Sequence, residues 1–434
     1  MAAMSPPSFG AGPGAAAKPT SIDSPDMRRA DRELLSLALI DARNHTLHLL
    51  SLYEQALEQA GQARIAPTAQ VTPPIWLAGH IGWFAEWWIA RNTQRAYGMD
   101  CPVRPTRLAS IEPHADLWWN PTQRPPADRW APDLPDLSAT KAYLLETLEA
   151  TLDLLERAGE TDAALYFYRL ALFHEDLRGE QLVVMAQALG LPIGAELPPP
   201  STSAAPLLLP ATRWRLGLDA GEGNGFVFAQ EAGHETLSVP EFEIDAQPVT
   251  WQQYVEFVDD GGYDREELWA GEGWRWLQQE GRRAPRYVEQ IGAAHRGSGG
   301  SVLQQRFGAT LRVSGHHSAM HVAWWEADAW ARWAGRRVAT EAEWEIAATH
   351  AARRGFRWGE VREWTAGTLR PFDGFRPDPW SAGTEFDPQP LFGQARVLRG
   401  ASFATRARLR TLRGRAFALP DADDGFFGFR TCAL

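Results

Sequence analysis

The sequence changes character at 196–212, a stretch rich in proline and small residues, and this break constrains the fold more than any other feature. Four segments before it carry apolar residues at helical spacing, at about 29–55, 73–95, 138–158 and 161–189. After it, short apolar stretches alternate with Gly, Asp and Pro turns, which is typical of a mixed domain with few helices. A chain of 434 residues is also too long for one ordinary core. The pattern therefore predicts a two-domain protein, an all-α four-helix bundle followed by a mixed α+β domain.

The predicted domain boundaries follow from these changes in composition. We assign 1–28 to a disordered tail, 29–195 to the helical bundle, 196–212 to a linker and 213–434 to the second domain. The tail is rich in Ala, Gly, Pro and Ser, and it lacks the basic start and apolar block of a signal peptide.

Charge and cysteine content exclude several classes of partner and location. The net charge is −11 and no basic block is present, so we expect neither nucleic acid nor an anionic membrane surface as a partner. No apolar run reaches the length that spans a membrane. Only Cys101 and Cys432 are present, far apart in the sequence, which favours the reducing cytoplasm over a disulfide scaffold.

Two histidines in apolar helical segments are the best candidates for a functional site. His80 lies in the segment WLAGHIGWF (76–84), and His174 follows the apolar residues 170–173. Burying an unpaired imidazole costs free energy, so each histidine needs a partner. Histidines on facing helices of a bundle can bind a metal ion. The alternative is a pair of core histidines that donate to backbone groups or to acids such as Glu175.

Arg178 lies four residues after His174, on the same helical face, where a further histidine would complete a three-histidine site. A guanidinium repels a metal dication but suits an anionic group such as a carboxylate. Either the site uses two histidines with water or another residue, or metal binding is weak or lost.

Other polar residues near these positions are weaker candidates. Asp176 and Glu180 do not share the face of His174 at one-turn spacing, and His45 and His48 are more typical of a helix surface. The histidine-rich loop 316–321 resembles metal spacing, but the family resemblance given below implies that this segment belongs to the scaffold of the second domain.

Motifs across nearly the whole chain resemble one enzyme family. The segment WLAGHIGWF and the pair His174–Glu175 resemble the iron-binding, DinB-like N-terminal domain of the ergothioneine and ovothiol sulfoxide synthases. The second half resembles their formylglycine-generating-enzyme domain, which has a C-type-lectin-like fold. The motifs that carry this second resemblance are FEIDAQPVT (242–250), HVAWWEA (321–327), ATEAEWE (339–345), WTA (364–366), VLRGAS (397–402) and GFRTC (428–432). Within the family, LYFYRLALFHED (165–176) is most similar to the selenoneine synthases.

The resemblance implies a non-haem Fe(II) enzyme that uses O2 to join a chalcogen atom to C2 of the imidazole of hercynine, the trimethylated betaine of histidine. In the selenoneine branch the expected donor is a selenosugar. The resemblance makes His80 and His174 the iron ligands, and few protein ligands leave positions free for substrate and O2. Aromatic faces can hold the quaternary ammonium of hercynine, and an arginine can hold its carboxylate. The candidate substrate-binding residues are Arg178, Tyr166, Trp380, Phe386, Phe417, Arg91 and Arg95.

The chain also departs from the pattern of the family. The third iron histidine falls at Arg178. The tyrosine that precedes the Phe392–Gly393 turn in the ergothioneine enzymes has no counterpart, because 381–390 contains no tyrosine. The Arg-Asn-aromatic-Asp segment that helps to hold the betaine reads RAFA (415–418), so recognition of the amine needs other groups, such as aromatic rings.

Two other functions stay open at this point. The same chemistry with a thiol donor would form a C–S bond, as in the ergothioneine-type sulfoxide synthases. A non-catalytic binding protein that has lost its metal through Arg178 is the second alternative. Competition between donors distinguishes the first alternative, and the metal content of the protein distinguishes the second.

Overall fold

The computed structural model describes residues 19–62, 64–68, 71–200, 204–221, 223–292 and 301–434. Up to residue 200 the regular structure is helical, and we call this part the helical half. Its α-helices are α1 (Arg32–Gln59), α2 (Pro74–Ala85), α3 (Ala115–Trp119), α4 (Leu137–Glu156) and α5 (Asp162–Leu189). Turns of 3-10 helix cover Pro25–Arg29, Arg95–Asp100 and Pro126–Asp128, and a π-helical turn, Glu86–Ala90, extends α2. No helix in the described ranges is both long and apolar enough to cross a bilayer.

Local signals set the ends of the long helices. Asp31, Asp136 and Thr161 cap α1, α4 and α5, since each side chain accepts a hydrogen bond from a backbone N–H three residues further on. Pro74 begins α2, at a position where the missing N–H of proline costs nothing. Gly190 follows α5 with a φ of 66°, which glycine adopts without strain.

The four long helices of the described helical half pack against one another. α1 lies against α5 and α4, and α2 lies against α4 and α5. The second helix is shorter than predicted, because its α-helical part ends at Ala85 and the predicted end, Arg95, lies in a separate 3-10 turn. The buried Glu86 carboxylate accepts hydrogen bonds from Tyr143 and from the backbone of Ile111 where the helix widens into the π-turn.

The described chain from residue 204 onward forms the C-terminal half, a mixed α+β structure. Its helices are α6 (Trp251–Asp259), α7 (Gly271–Glu280), α8 (Trp324–Trp333) and α9 (Glu341–His350). Its strands are β1 (Leu207–Leu209), β2 (Thr212–Leu216), β3 (Glu235–Val239), β4 (Phe242–Ile244), β5 (Val288–Gly292), β6 (Ser301–Arg306), β7 (Ala309–Val313), β8 (Arg336–Val338), β9 (Arg362–Thr368), β10 (Arg396–Gly400), β11 (Ala416–Ala418), β12 (Phe427–Phe429) and β13 (Thr431–Ala433). The described strands form two four-stranded sheets, β1-β4-β13-β8 and β11-β10-β9-β12, a three-stranded sheet, β5-β6-β7, and the hairpin β2-β3. A helical half followed by a mixed half fits the predicted two-domain organisation.

Part of the segment that the sequence assigns to a disordered tail contains regular structure. Residues 1–18 of the predicted tail lie outside the described residues, but 19–28 include a 3-10 turn that packs on the rest of the protein. Met27 is fully buried, and the buried Arg28 guanidinium forms an ion pair with Glu231 at 2.6 Å. The composition of this segment is that of a tail, and a partner 203 positions away could not be inferred from it.

The predicted linker, 196–212, also contains regular structure. Strand β1 lies within it and pairs antiparallel with β4, with Leu207 opposite Ile244. Leu207 and Leu209 are buried and Leu208 is exposed, as expected for a strand with one face on the core. Three residues are too few for this alternation to be recognised in the sequence.

Helix α5 belongs to the helical half but is bonded to the C-terminal half. The Asp176 carboxylate forms an ion pair with Arg408, and both side chains are fully buried. One turn further on, Glu180 pairs with Arg362 and accepts a hydrogen bond from the hydroxyl of Ser402. These contacts fix α5, which also carries His174, against the C-terminal half.

Candidate active site between the two halves

His80 lies on α2 in an apolar stretch, and one of its ring nitrogens has a backbone partner. Its Nδ1 atom is 3.0 Å from the carbonyl oxygen of Trp119, so Nδ1 donates and Nε2 keeps its lone pair. The ring stacks on Trp76, with 5.0 Å between ring centroids. Burial, together with the Arg178 guanidinium, lowers the pKa of His80 to about 3. The imidazole is therefore neutral at physiological pH, and its Nε2 lone pair can accept a hydrogen bond or bind a metal ion.

His174 approaches His80 from α5. The centroids of the two imidazole rings are 5.5 Å apart. Phe84, one helical turn after His80, stacks on His174 with 3.6 Å between ring centroids. Burial and the neighbouring Arg178 hold the pKa of His174 well below its usual value. The structure thus brings together the two imidazoles that the sequence analysis selected, and both are neutral.

The guanidinium of Arg178 lies between these two rings. Its Nε atom donates to Nε2 of His174 at 3.2 Å, and its Nη2 atom is 3.4 Å from Nε2 of His80. Both Nε2 lone pairs are therefore directed at one guanidinium. Glu175, considered above as an alternative partner of the histidines, instead accepts hydrogen bonds from Arg43.

Glu385 completes the polar group around this guanidinium. Its carboxylate forms an ion pair with Nη1 of Arg178, which also donates to the side chain of Gln181 at 2.8 Å. Burial alone would raise the pKa of Glu385, but the Arg178 guanidinium lowers it to about 2. We call the following four residues the His–Arg–Glu cluster: His80, His174, Arg178 and Glu385. Glu385 is not among the residues predicted from the sequence, although it lies in 381–390, the segment that lacks the family's tyrosine.

Aromatic rings from both halves surround the cluster. The ring of Phe386 is 5.9 Å from that of His174, between centroids, and 4.7 Å from the guanidinium carbon of Arg178. Trp380 contacts Phe386 and Phe84, with centroid distances of 5.4 Å and 5.8 Å. The two side chains that the sequence analysis placed on the wall of the cleft, Trp380 and Phe386, therefore both lie beside the cluster.

Tyr166 lies behind this wall. Its hydroxyl donates to Oδ1 of Asp378 at 3.0 Å, and Oδ2 of Asp378 accepts from the backbone N–H of Ala229 at 2.9 Å. Burial raises the pKa of Asp378 to about 7, although these two hydrogen bonds oppose the shift. The ring of Tyr166 packs on Phe226, with centroids 5.3 Å apart. The hydroxyl of Tyr166 is thus directed at Asp378 rather than at the histidines.

The remaining substrate-binding candidates have partners elsewhere. Arg91 forms a two-pronged ion pair with Asp116, at 2.7 Å and 2.9 Å. Arg95 donates to backbone carbonyls of the preceding turn at 3.2 Å and 3.4 Å. Phe417 lies on β11, opposite Val397 of β10, and packs in a small apolar cluster of the C-terminal half. The structure does not place these three side chains together with the cluster.

The other histidines considered above also have separate surroundings. Nδ1 of His317 is 2.8 Å from the carboxylate of Glu360. His321 is buried, and its ring lies edge-on to that of Tyr287, with centroids 4.7 Å apart. His48 is exposed on α1. None of these contacts involves the His–Arg–Glu cluster.

The cluster supplies two of the donors that a metal site needs. Both imidazoles are neutral, a backbone carbonyl fixes one tautomer, and both Nε2 atoms face the same group. Within the ranges that the structure describes, no three His, Cys, Asp or Glu side chains are close enough to form a complete metal-binding group. The residues therefore fit a metal ion bound by two histidines once the guanidinium of Arg178 has moved aside.

Comparisons with known proteins agree with this architecture. The model of the sulfatase-modifying factor enzyme 1-like domain matches residues 206–360. The chain is 30% identical to the hercynine oxygenase of Mycolicibacterium smegmatis over 425 residues, which cover 86% of this chain and 92% of that protein. It is 29% identical to the hercynine oxygenase of Mycolicibacterium thermoresistibile, in an alignment that covers 87% of this chain and 89% of that protein. The formylglycine-generating enzyme of Streptomyces coelicolor is 27% identical to this chain, in a shorter alignment that covers 57% of this chain and 96% of that protein.

Proposed function

Because the chain belongs to the hercynine oxygenase family, we propose that it oxidises hercynine with O2 and joins C2 of the imidazole to the selenium atom of a selenosugar. The substrate is supported by two hercynine oxygenases that align with most of this chain. The selenium donor is supported by the resemblance of 165–176 to the selenoneine synthases. The product is a C2-selenated derivative of hercynine, from which selenoneine forms in a later step.

The observation that carries this proposal is the convergence of two Nε2 atoms, those of His80 and His174, on one point. These histidines would hold Fe(II) in place of the Arg178 guanidinium. Bound iron would supply the activation of O2, and two imidazole ligands would leave positions open for substrate. The hydrogen bond from Nδ1 of His80 to the Trp119 carbonyl keeps that ring in its binding orientation.

The side chains around the cluster suit the two charges of hercynine. The rings of Phe386 and Trp380 offer faces for the quaternary ammonium. Arg178, once released from the imidazoles, suits the carboxylate, and Arg129 is a second cation nearby, 3.8 Å from the ring centroid of Trp76. The apolar packing around His80 and His174 excludes water from the reacting groups.

The proposed reaction balances with one O2 for each bond formed. Imidazole C2 loses its hydrogen, and a selenol donor loses the hydrogen on selenium. Both hydrogens leave in one water molecule, and the second oxygen atom stays on selenium as a selenoxide. O2 is thus reduced by four electrons. Two are released when the C–H and Se–H bonds are replaced by the C–Se bond, and two when selenium is oxidised to the selenoxide.

We also propose that α1, α2, α4 and α5 form a DinB-like bundle in which metal ligands project inward from facing helices. The proposed domains are 29–195 and 213–434. The packed segments before and between them, 19–28 and 204–212, would then be contacts between the domains rather than free connections.

An aerobic assay with Fe(II), hercynine and a selenosugar tests the proposal, with product detected by mass spectrometry. We expect His174→Ala to lose product formation, and His48→Ala, which changes an exposed histidine of α1, to retain it. Unchanged turnover in His174→Ala would overturn the site. Competition between the selenosugar and thiols in the same assay tests the donor, and a preference for thiols would indicate a C–S bond-forming enzyme.

Metal content tests the alternative that Arg178 has abolished metal binding. After anaerobic loading with Fe(II), we expect about one iron per chain in the folded protein. A folded protein that retains no iron would instead indicate a binding protein without this chemistry.

A further inference from the structure

Glu385 faces the guanidinium that lies between the two histidines. Its carboxylate pairs with Nη1 of Arg178, while Nε and Nη2 of the same guanidinium contact the imidazoles. The side chain of Glu385 is about half exposed, so it has room to change partners. Phe386, the next residue, packs beside His174 and keeps this loop at the cluster.

The neighbouring acids on α5 and in the same loop are already engaged. Asp176 accepts two hydrogen bonds from Arg408, and Glu180 accepts two from Arg362. Asp387 accepts hydrogen bonds from two backbone N–H groups of its own loop. Glu385 differs because its partner is the residue that must move when a metal ion binds.

Charge balance favours an exchange of partners in the cluster. Two neutral imidazoles, one guanidinium and one carboxylate have no net charge. A dication added beside an unmoved guanidinium would bring the cluster to a net charge of about +2 at a buried site, which is costly. If the guanidinium withdraws and the carboxylate binds the metal, two imidazoles and one carboxylate remain, a ligand set that suits Fe(II) and leaves open positions.

We propose that Glu385 is the third protein ligand of a divalent metal ion bound by His80 and His174. Arg178 is then a displaceable counter-ion that contacts all three side chains when no metal is bound, and these side chains close on the metal only after the guanidinium has left. This inference rests on the metal site of the proposed function and extends it to a residue of the C-terminal half. It follows that Arg178 and the metal ion compete for the same two Nε2 atoms.

Anaerobic titration of the metal-free, full-length protein with Co(II), followed by visible absorption, tests this assignment without relying on turnover. We expect Glu385→Gln to weaken Co(II) binding at least tenfold, since the loss of an outer-shell partner alone costs about 10–100-fold. We expect Arg178→Ala to tighten binding, because the competing cation is gone. Glu160→Gln is the matched control, because it breaks an ion pair between Glu160 and Arg32. The side chain of Glu160 is 53% exposed, against 51% for Glu385.

The double variant Arg178→Ala/Glu385→Gln shows whether Glu385 acts as a metal ligand or only as the counter-ion of Arg178. If Glu385 binds the metal, its replacement weakens Co(II) binding at least about tenfold in the Arg178→Ala background as well. If Glu385 acts only by neutralising Arg178, the effect vanishes in that background and the proposal is overturned. Circular dichroism of each variant checks that the fold is retained.

The same titration distinguishes this inference from the proposed function. If His80→Ala abolishes Co(II) binding and Glu385→Gln binds as tightly as Glu160→Gln, the metal site stands and only the assignment of Glu385 fails. If the natural protein and Arg178→Ala both fail to bind Co(II), the proposed function fails together with it.

Discussion

Replacing Arg408 with methionine should lower the free energy of unfolding by about 3–5 kcal/mol, because the buried carboxylate of Asp176 loses its hydrogen-bonded partner and keeps only Arg406, at 4.0 Å. Arg408 donates to the two oxygens of Asp176 from Nε and Nη2, at 2.6 Å and 2.9 Å. Both side chains have 0% exposure, so water cannot replace the lost guanidinium without opening the contact between α5 and the C-terminal half. The penalty arises from the buried carboxyl of Asp176, whose pKa burial already raises to about 6 and which, without Arg408, must stay charged without a hydrogen-bond donor or take up a proton.

Two further variants distinguish this cause from a general loss of packing. Asp176→Leu/Arg408→Met replaces both buried charges with apolar groups, and it should return to within about 1 kcal/mol of the natural protein, because Asp41, the second partner of Arg408, keeps its ion pair with Arg406. Arg215→Met removes one partner of an exposed ion pair, with side chains 46% and 55% exposed, and should cost at most about 1 kcal/mol.

Urea unfolding followed by tryptophan fluorescence measures these differences, with the free energy obtained by linear extrapolation. The role of the buried ion pair is refuted if Arg408→Met lowers the free energy of unfolding no more than Arg215→Met does. It is also refuted if the double variant is as unstable as Arg408→Met, because the loss would then come from the shape of the contact and not from its charge.

Three further predictions concern the site and its support. Gly79→Ala should lower the free energy of unfolding in urea by at least about 3 kcal/mol, because an added Cβ would lie 1.9 Å from the indole nitrogen of Trp119. Gly82→Ala should lower it by about 1 kcal/mol, because there the nearest atom to the added Cβ is 3.0 Å away. Equal losses in the two variants would contradict this prediction. Burial raises the pKa of Asp378 to about 7, so the folded protein holds a proton that the unfolded chain has released above about pH 4. The stability of the natural protein relative to Asp378→Asn should therefore fall by up to about 4 kcal/mol from pH 4 to pH 7, and a constant difference would refute it. Arg178→His should raise the affinity for Co(II) or Fe(II) in anaerobic titration, and a decrease would show that this position lies outside the site.

The helices of the first half could be predicted because their signals are local. The apolar spacing of 138–158 and the cap at Asp136 lie within one short segment, and the helix found there is Leu137–Glu156. The end of α2 could not be predicted, because it depends on the hydrogen bonds of Glu86 with side chains of other segments. The order of the short strands in the C-terminal half likewise depends on pairings between distant segments.

The site residues that lie on helices could be predicted from the sequence, whereas those that lie in loops could not. His174 and Arg178 are four residues apart on one helix, so their shared face follows from helical geometry. Glu385 and Asp378 lie in a loop, and only the tertiary fold places Glu385 at Arg178 and Asp378 at Tyr166. Arg91 was selected as a substrate-binding residue because it follows His80 in the same predicted helix. Its partner in the structure is Asp116, which lies in a later segment that helical spacing cannot relate to it.

The attachment of α5 has a consequence for how this chain can evolve. Hydrogen bonds and ion pairs of Asp162, Asp176 and Glu180 hold this helix to the C-terminal half, whereas His80 stands on α2. A recombination event that imported a foreign C-terminal half would have to preserve these attachments, or Glu385 would no longer meet Arg178 beside the two imidazoles. We therefore expect the two halves to diverge together at these contact positions, with a change on one side matched by a change on the other.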